Sequence, residues 1–440
     1  MSSPGLIRGL GLFLPFVVVW GLWQWRKPDR RWAGAALLAS AWNLAALPLL
    51  HILASRFGWW GFAARGGLYL GMPVDLYLGW VLLWGAIPVL AFPRLLLPLV
   101  VALMFSIDLL VMPASDPVVR LGTRWFQGEI VGLMLCLLPA QMLARWTIAD
   151  RRLPGRVLLQ VAAVAGLILG DLPAAIIEIT GGSWRPLLER PLWMTGIGLQ
   201  LMALPATLGL SAVQEFAARG DGTPFPYDPP KRLVTSGVYA YLANPMQVAA
   251  ALLLAVWGVL LSAGWVVAAG LMGGVYGLGW AALHEGEDLP QRFGRAWGDY
   301  RSAVPRWVPR WRPWYATMCG DEHRPPVARL YLAESCVPCS QLARWLQRRR
   351  PTGLILMAAE DHPSRDLYRL TYDPGTGDRE EEGVAALARS LEHLQLGWAF
   401  VGWTIRLPLV RQFIQLVTDA AGGGARRIGR RAPARENSGA

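Results

Sequence analysis

The sequence predicts a polytopic α-helical membrane protein, with about nine transmembrane helices and a small C-terminal α/β domain. Three observations predict it. Of the 440 residues, 54% are apolar and only 16% charged, and the mean hydropathy is +0.34; a soluble chain of this length needs more surface charge. Apolar runs of the roughly 20 residues needed to cross hydrocarbon recur from near the N-terminus to about Leu283. After about Pro325 the hydropathy falls and a strand-like alternation takes over.

The expected spans lie near 6–25, 32–54, 68–91, 94–113, 127–145, 157–178, 192–214, 245–263 and 265–283. Ser262, Ala263 and Gly264 make the last two a tight hairpin. The first run lacks a small-residue cleavage site and is long enough to span, so it reads as a retained helix rather than a signal peptide. Basic residues cluster after helix one (Arg26, Lys27, Arg30, Arg31), after helix five (Arg145, Arg151, Arg152, Arg156) and after helix seven (Arg219, Lys231, Arg232). The opposite loops hold only pairs: Arg56 and Arg65, Arg120 and Arg124, Arg185 and Arg190. The positive-inside rule then places the N-terminus outside and the C-terminal region in the cytoplasm of a bacterial-type membrane. Trp59, Trp60, Trp307, Trp311 and Trp314 suit interfacial anchoring.

The net charge of +12 is almost all arginine, with Lys27 and Lys231 the only lysines. In a membrane chain this reads as cytoplasmic anchoring, and no basic patch interleaved with aromatics points to nucleic acid. Asp75, Asp108, Glu129 and Asp171 fall in the outer halves of their spans. Acids at membrane depth are costly. Two readings stand: an outward-facing pocket for a cationic headgroup, or four acids near enough to the interface to stay solvated.

Pro224, Pro226, Pro229 and Pro230 make 220–230 a loop. Asn244 and Pro245 then fit the N-cap and first turn of helix eight. The polar stretch Pro229 to Gln247 contains Tyr239, Tyr241, Asn244 and Pro245. A helical hairpin follows it, then His284, Glu285, Asp288, Arg292-Phe293-Gly294, Trp297 and Tyr300. This order resembles the isoprenylcysteine carboxyl methyltransferase and phospholipid methyltransferase group of membrane enzymes. Ala243, Gln247 and Gly286 stand where that group usually has Arg, Tyr and a second Glu.

The resemblance implies a site for S-adenosylmethionine at the inner face of the membrane and a lipid or isoprenoid methyl acceptor. By it, Tyr239, Tyr241, Asn244 and Pro245 lie against the cofactor, Glu285 accepts hydrogen bonds from it, and Trp297 and Tyr300 either hold its adenine or pack at the interface. His284 is either a base or a partner of its helix dipole. Asp288, Arg292-Phe293-Gly294, Trp297 and Tyr300 also resemble membrane sterol reductases, which implies NADPH as the alternative cofactor.

In the C-terminal domain, Ala328–Ala333 alternates like a strand, and Cys336-Val-Pro-Cys339 opens an amphipathic helix from Gln341 to Arg350. A strand followed by Cys-x-x-Cys at a helix N-terminus is the thioredoxin-type arrangement: the first thiol attacks and the second resolves the mixed disulfide. Strands at Leu354–Met357 and Leu367–Tyr372 and a helix from Gly383 to about Leu394 are expected to complete it. The domain resembles thiol-disulfide oxidoreductases with a paired-Cys motif, with Glu334-Ser335 where Asp-Gly is usual. Half a zinc site is the alternative, although His362 and His393 are scattered; no metal is expected. Cys136 reads as a small apolar residue.

Leu396–Thr418, interrupted by Arg406, Pro408 and Arg411, reads as a membrane-skimming amphipathic element. The Gly- and Arg-rich end reads as disordered. The expected organisation is an accessory helical bundle over 1–150, a methyltransferase-like core over 151–315, a thioredoxin-like domain over 326–420 and a basic tail over 421–440. The expected function is methyl transfer to a lipid or isoprenoid, with an appended cytosolic redox domain and a redox partner protein. Lipid reduction with NADPH, or a non-catalytic scaffold carrying the dithiol, are the alternatives.

Overall fold

A computed structural model describes residues 3–225, 228, 230–276, 282–315 and 327–431. Among them, seven helices are long and apolar enough to cross a membrane: Pro4–Arg26, Arg30–Phe57, Val74–Ala91, Leu97–Ala114, Trp125–Ile148, Leu153–Thr180 and Leu192–Gly220. With a small C-terminal sheet, this is the make-up of a helical membrane-embedded protein. Of the last two expected spans, Pro245–Leu260 forms a helix of 16 residues, and Gly264–Tyr276 is helical up to residues 277–281, which lie outside the described residues.

The chain divides into two compact units. One comprises Met1–Met202, Asp221–Lys231 and Leu252–Met272; the other comprises Ala203–Gly220, Arg232–Ala251 and Gly273–Ala440.

In the first unit the Arg30–Phe57 helix is the central element. Its face of Ala35, Ala36 and Ala39 is fully or almost fully buried against Ala140 and Ala144 of Trp125–Ile148. Small residues let two apolar helices approach closely where no hydrophobic force drives them together. The Val74–Ala91 span breaks at Gly85, where φ is −96° and ψ −95°. Gln141 donates to the carbonyls of Trp84 at 2.8 Å and Gly85 at 3.1 Å, satisfying groups the break sets free. Two π-helical turns, Leu133–Leu137 and Leu167–Asp171, are relieved in a similar way. The Trp42 indole donates to the Leu135 carbonyl at 2.9 Å, and that of Trp257 to Leu169 at 2.8 Å.

The expected span over 68–91 begins instead with a β-hairpin. Strand β1 (Trp60–Phe62) pairs antiparallel with a later strand, while β2 (Leu68–Tyr69) and β3 (Met72–Pro73) form a hairpin. Leu70 and Gly71, both at positive φ, make its turn, so the helix starts only at Val74. The partner of β1 is β4 (Val119–Leu121).

The second unit holds a four-stranded sheet of β5 (Ala328–Leu332), β6 (Leu354–Ala358), β7 (Thr371–Asp373) and β8 (Glu381–Glu382), in the order β6-β5-β7-β8. Strands β5 and β6 are parallel, with Leu330 opposite Leu356, and the helix Val337–Arg348 connects them. Strand β7 is antiparallel to β5, and β8 to β7. Leu330, Leu346, Tyr372, Ala386 and Leu391 form one core between sheet and helices.

Two expectations for the chain end are corrected. Residues 396–418 form two helices, Leu396–Arg406 and Pro408–Thr418, split by Pro408. The first is no surface skimmer, because Ala399 and Trp403 are buried against Val238, Ala240 and Tyr241. Only the second keeps an apolar face exposed, at Leu409, Phe413 and Leu416. The tail was expected to be disordered, yet Ile428 pairs with Leu367 as an antiparallel bridge, their backbone N–H groups donating at 2.8 and 3.3 Å. Residues 432–440 lie outside the described residues.

Candidate functional site

Tyr300, from the segment after the helical hairpin, reaches Tyr239 of the segment before it, within the second unit. The stretch 305–314 that follows runs beside 240–244. Ala243 N–H donates to the Pro305 carbonyl at 2.9 Å, Arg310 N–H to Tyr241 at 2.9 Å, and Trp314 N–H to Ala240 at 2.8 Å. Tyr300 is brought in by Gly294, whose φ of 52° and ψ of −131° break the Ala282–Ala303 helix in a conformation that favours glycine.

The tyrosines, however, are used as structure. The Tyr300 hydroxyl donates to the Tyr239 carbonyl at 2.9 Å, and its ring packs against Trp297 and Trp314. The fully buried Tyr241 donates to the Glu392 carbonyl at 3.0 Å and meets Trp403 edge-on. Burial pushes the hydroxyls of Tyr241 and Tyr300 well above the ordinary phenol range. Tyr239 stacks obliquely on Phe216. The helix starts at Pro245 as expected, and the Asn244 amide donates to Gln247 at 3.1 Å. His284 and Glu285 lie in the Ala282–Ala303 helix, but their side chains fall outside the described residues.

Beside this lies an ion cluster that the sequence reading missed. Glu215 is fully buried and accepts from Arg389 at 2.9 Å, Arg406 at 3.0 Å and Ser236 at 2.5 Å. Glu392 binds Arg389 and Arg406 at 3.0 and 2.8 Å, and Glu381 binds Arg389 and Arg219 at 2.8 and 3.1 Å. Three acids thus face three arginines, and against its own desolvation Arg389 and Arg406 hold the Glu381 carboxyl below its ordinary range. Arg406 was visible only as an interruption of an apolar run. The rest gave no signal, because Glu215 and Arg389 are remote in sequence.

The dithiol is the part of the molecule arranged most directly for chemistry. Cys336 is the N-cap of the Val337–Arg348 helix, and its sulfur accepts the Cys339 N–H at 3.3 Å. Pro338 in the first turn costs nothing, since N–H groups there have no helical partner. The Cys339 N–H is one of those donors, and the Cys336 sulfur satisfies it. Burial, then its interaction with Cys336, pushes the Cys339 thiol up to about 12. Both cysteines are free and partly exposed, and both pack on Tyr331, Ala333, Ala359 and Leu367.

The C-terminal stretch lies along this site. Ile428 joins the apolar cluster under the cysteines. Arg427 pairs with Asp366 at 2.8 Å, and Arg431 with Glu334 at 2.8 Å and Asp361 at 3.3 Å. His362 is buried and turned to Glu380 at 3.1 Å. Among the described residues, no group of three or more His, Cys, Asp or Glu side chains is placed to hold a metal ion.

Comparison of the chain with protein-family models, with curated proteins and with solved structures finds no match.

Proposed function

We propose that this protein is a membrane-anchored thiol-disulfide oxidoreductase working through Cys336 and Cys339. The observation that carries the reading is the pairing of an N-cap Cys336 sulfur with the Cys339 N–H, while Cys339 itself is held protonated. The parallel β5-helix-β6 unit around the dithiol supports a thioredoxin-like domain, since Cys-x-x-Cys beside such a unit is the signature of that fold.

In the reductive direction the Cys336 thiolate attacks one sulfur of a substrate disulfide. That S–S bond breaks, and the far sulfur leaves as a thiolate. Cys339 then gives up its proton and attacks the Cys336 sulfur, releasing the second substrate thiolate. The protein ends with a Cys336–Cys339 disulfide and the substrate has gained two electrons; the oxidative direction is the reverse.

Trapping tests this reading. Cys339→Ser should accumulate a mixed disulfide between Cys336 and a disulfide-bonded probe peptide, visible as a covalent mass increase. Cys336→Ser should form none. A mixed disulfide on Cys136 or Cys319, or none in either variant, would remove the redox assignment.

A second reading rests on a different observation. The backbone pairing of 240–244 with 305–314 draws together the two segments that resemble the lipid methyltransferases. It favours a cytoplasmic site for S-adenosylmethionine, with His284 and Glu285 on the adjoining helix, nine spans and a lipid or isoprenoid acceptor. The reductase alternative uses NADPH on the same segments. Equilibrium binding to the purified chain separates them: S-adenosylmethionine alone, NADPH alone, or neither, which would leave the dithiol as the working part.

A further inference from the structure

The first unit contains a cavity whose polar groups are left incomplete. It lies where the ends of four helices meet the β1 strand, and its volume is about 40 Å³. Trp60, Phe62, Trp80 and Trp84 share its wall with leucine and methionine side chains, and Glu129, His51 and Tyr77 are its polar members. Against about 10–15 Å³ for one water, this volume admits a group of about three or four heavy atoms.

Two buried acids stand near one another here and are treated differently. Asp108 receives the indole N–H of Trp84 at 2.6 Å and of Trp80 at 3.1 Å. Glu129, only 2% exposed, has an Oε2 with no hydrogen-bond partner among the described residues. His51, 6% exposed, donates from Nε2 to the Leu70 carbonyl at 2.9 Å, which leaves Nδ1 as an acceptor. That nitrogen is also buried and without a partner among the described residues. Three nearby donors are turned elsewhere: the Trp80 and Trp84 indoles to Asp108, and the Tyr77 hydroxyl to the Leu44 carbonyl.

Two acceptors lacking donors call for a guest that donates. A carboxylate set among aromatic faces calls for a cation. A quaternary ammonium meets the second demand but has no N–H for the first. We propose that this cavity is a binding site for a small protonated amine, with Glu129 as its counter-charge, His51 Nδ1 as a second acceptor and the indole rings as its walls. The amine is either free or the terminal group of an aminolipid headgroup.

The site does not depend on the dithiol reading. Asp75 and Asp171 take no part in it: Asp75 pairs with Arg8 at 2.6 Å, and the Tyr69 hydroxyl donates to Asp171 at 3.4 Å.

Calorimetric titration of the full chain in phosphatidylcholine nanodiscs tests the proposal. Ethylammonium should bind at least about tenfold more tightly than ethanol, which has its size without its charge, and more tightly than tetramethylammonium, which has no N–H. Glu129→Gln should erase the preference over ethanol. Nanodiscs containing phosphatidylethanolamine should weaken ethylammonium binding if the guest is a headgroup and leave it unchanged if the guest is a free amine; either result supports the site. Equal affinity for ethylammonium and ethanol in the unaltered protein would overturn it, whether or not the variant folds. So would an ethylammonium preference that survives Glu129→Gln.

Discussion

His393 shows what a single buried side chain contributes. It accepts from the Tyr372 hydroxyl at 2.9 Å and donates from Nδ1 to the Thr352 carbonyl at 2.7 Å, and burial lowers it to about 4 from 6.5. Below pH 6.5 the unfolded state takes up a proton that the folded domain refuses. The stability is therefore full above pH 6.5 and lost as pH falls towards 4, by up to about 3 kcal/mol. Hydrogen exchange at the sheet amides, corrected for intrinsic rates, should show that loss, and His393→Phe should abolish the pH step. Glu215→Gln removes a carboxylate that two arginines share in a dry interior. It should cost about 3–5 kcal/mol in denaturant unfolding, whereas loss of a solvated surface pair would cost under about 1 kcal/mol. The pair Cys336 and Cys339 was legible because its spacing is local. The roles of Tyr241 and Glu215 were not, since their partners Glu392 and Arg389 lie in a different stretch of chain. Tyr239 and Tyr300 were expected at one place, and they are; what sequence could not tell is that the Tyr300 hydroxyl is spent on a backbone carbonyl.

Among the elements, the stretch at the chain end has the clearest consequence. It is held by one backbone bridge and by exposed arginine-carboxylate pairs along the dithiol. Such pairs weaken with salt. Removing residues after Gly424 should therefore speed alkylation of Cys336 several-fold, and high salt should do part of the same in the intact chain. An unchanged rate would show that the stretch does not shield the thiol. The Gly294 kink gives a second expectation. Gly294→Ala forces a side chain into a backbone region that favours glycine, costing about 1–3 kcal/mol, and should raise proteolysis near Tyr300. Alternation identified β5 to within a residue, and amphipathic spacing identified the helix after Cys336. The hairpin of β2 and β3 was read as helix because its apolar residues continue the hydropathy of the span that follows. The tail was read as disordered because its Gly and Arg composition carries no period; its order comes from pairing with Leu367, far back in the chain.

For the whole molecule, the seven long apolar helices among the described residues predict that the protein stays with membranes through alkaline carbonate washing and leaves only with detergent. Hydropathy revealed this architecture readily, because crossing hydrocarbon is a demand on composition as much as on packing. The eighth expected span holds a helix of 16 residues, and the ninth runs on into residues outside the described ones. The central claim is that the dithiol exchanges with a substrate disulfide. The most direct measurement mixes the reduced full-length protein with an equal amount of a disulfide-bonded peptide and follows both by mass spectrometry. Exchange should yield two free thiols on the peptide for each Cys336–Cys339 disulfide formed. A peptide that stays oxidised, with Cys336 and Cys339 still reduced, would contradict it.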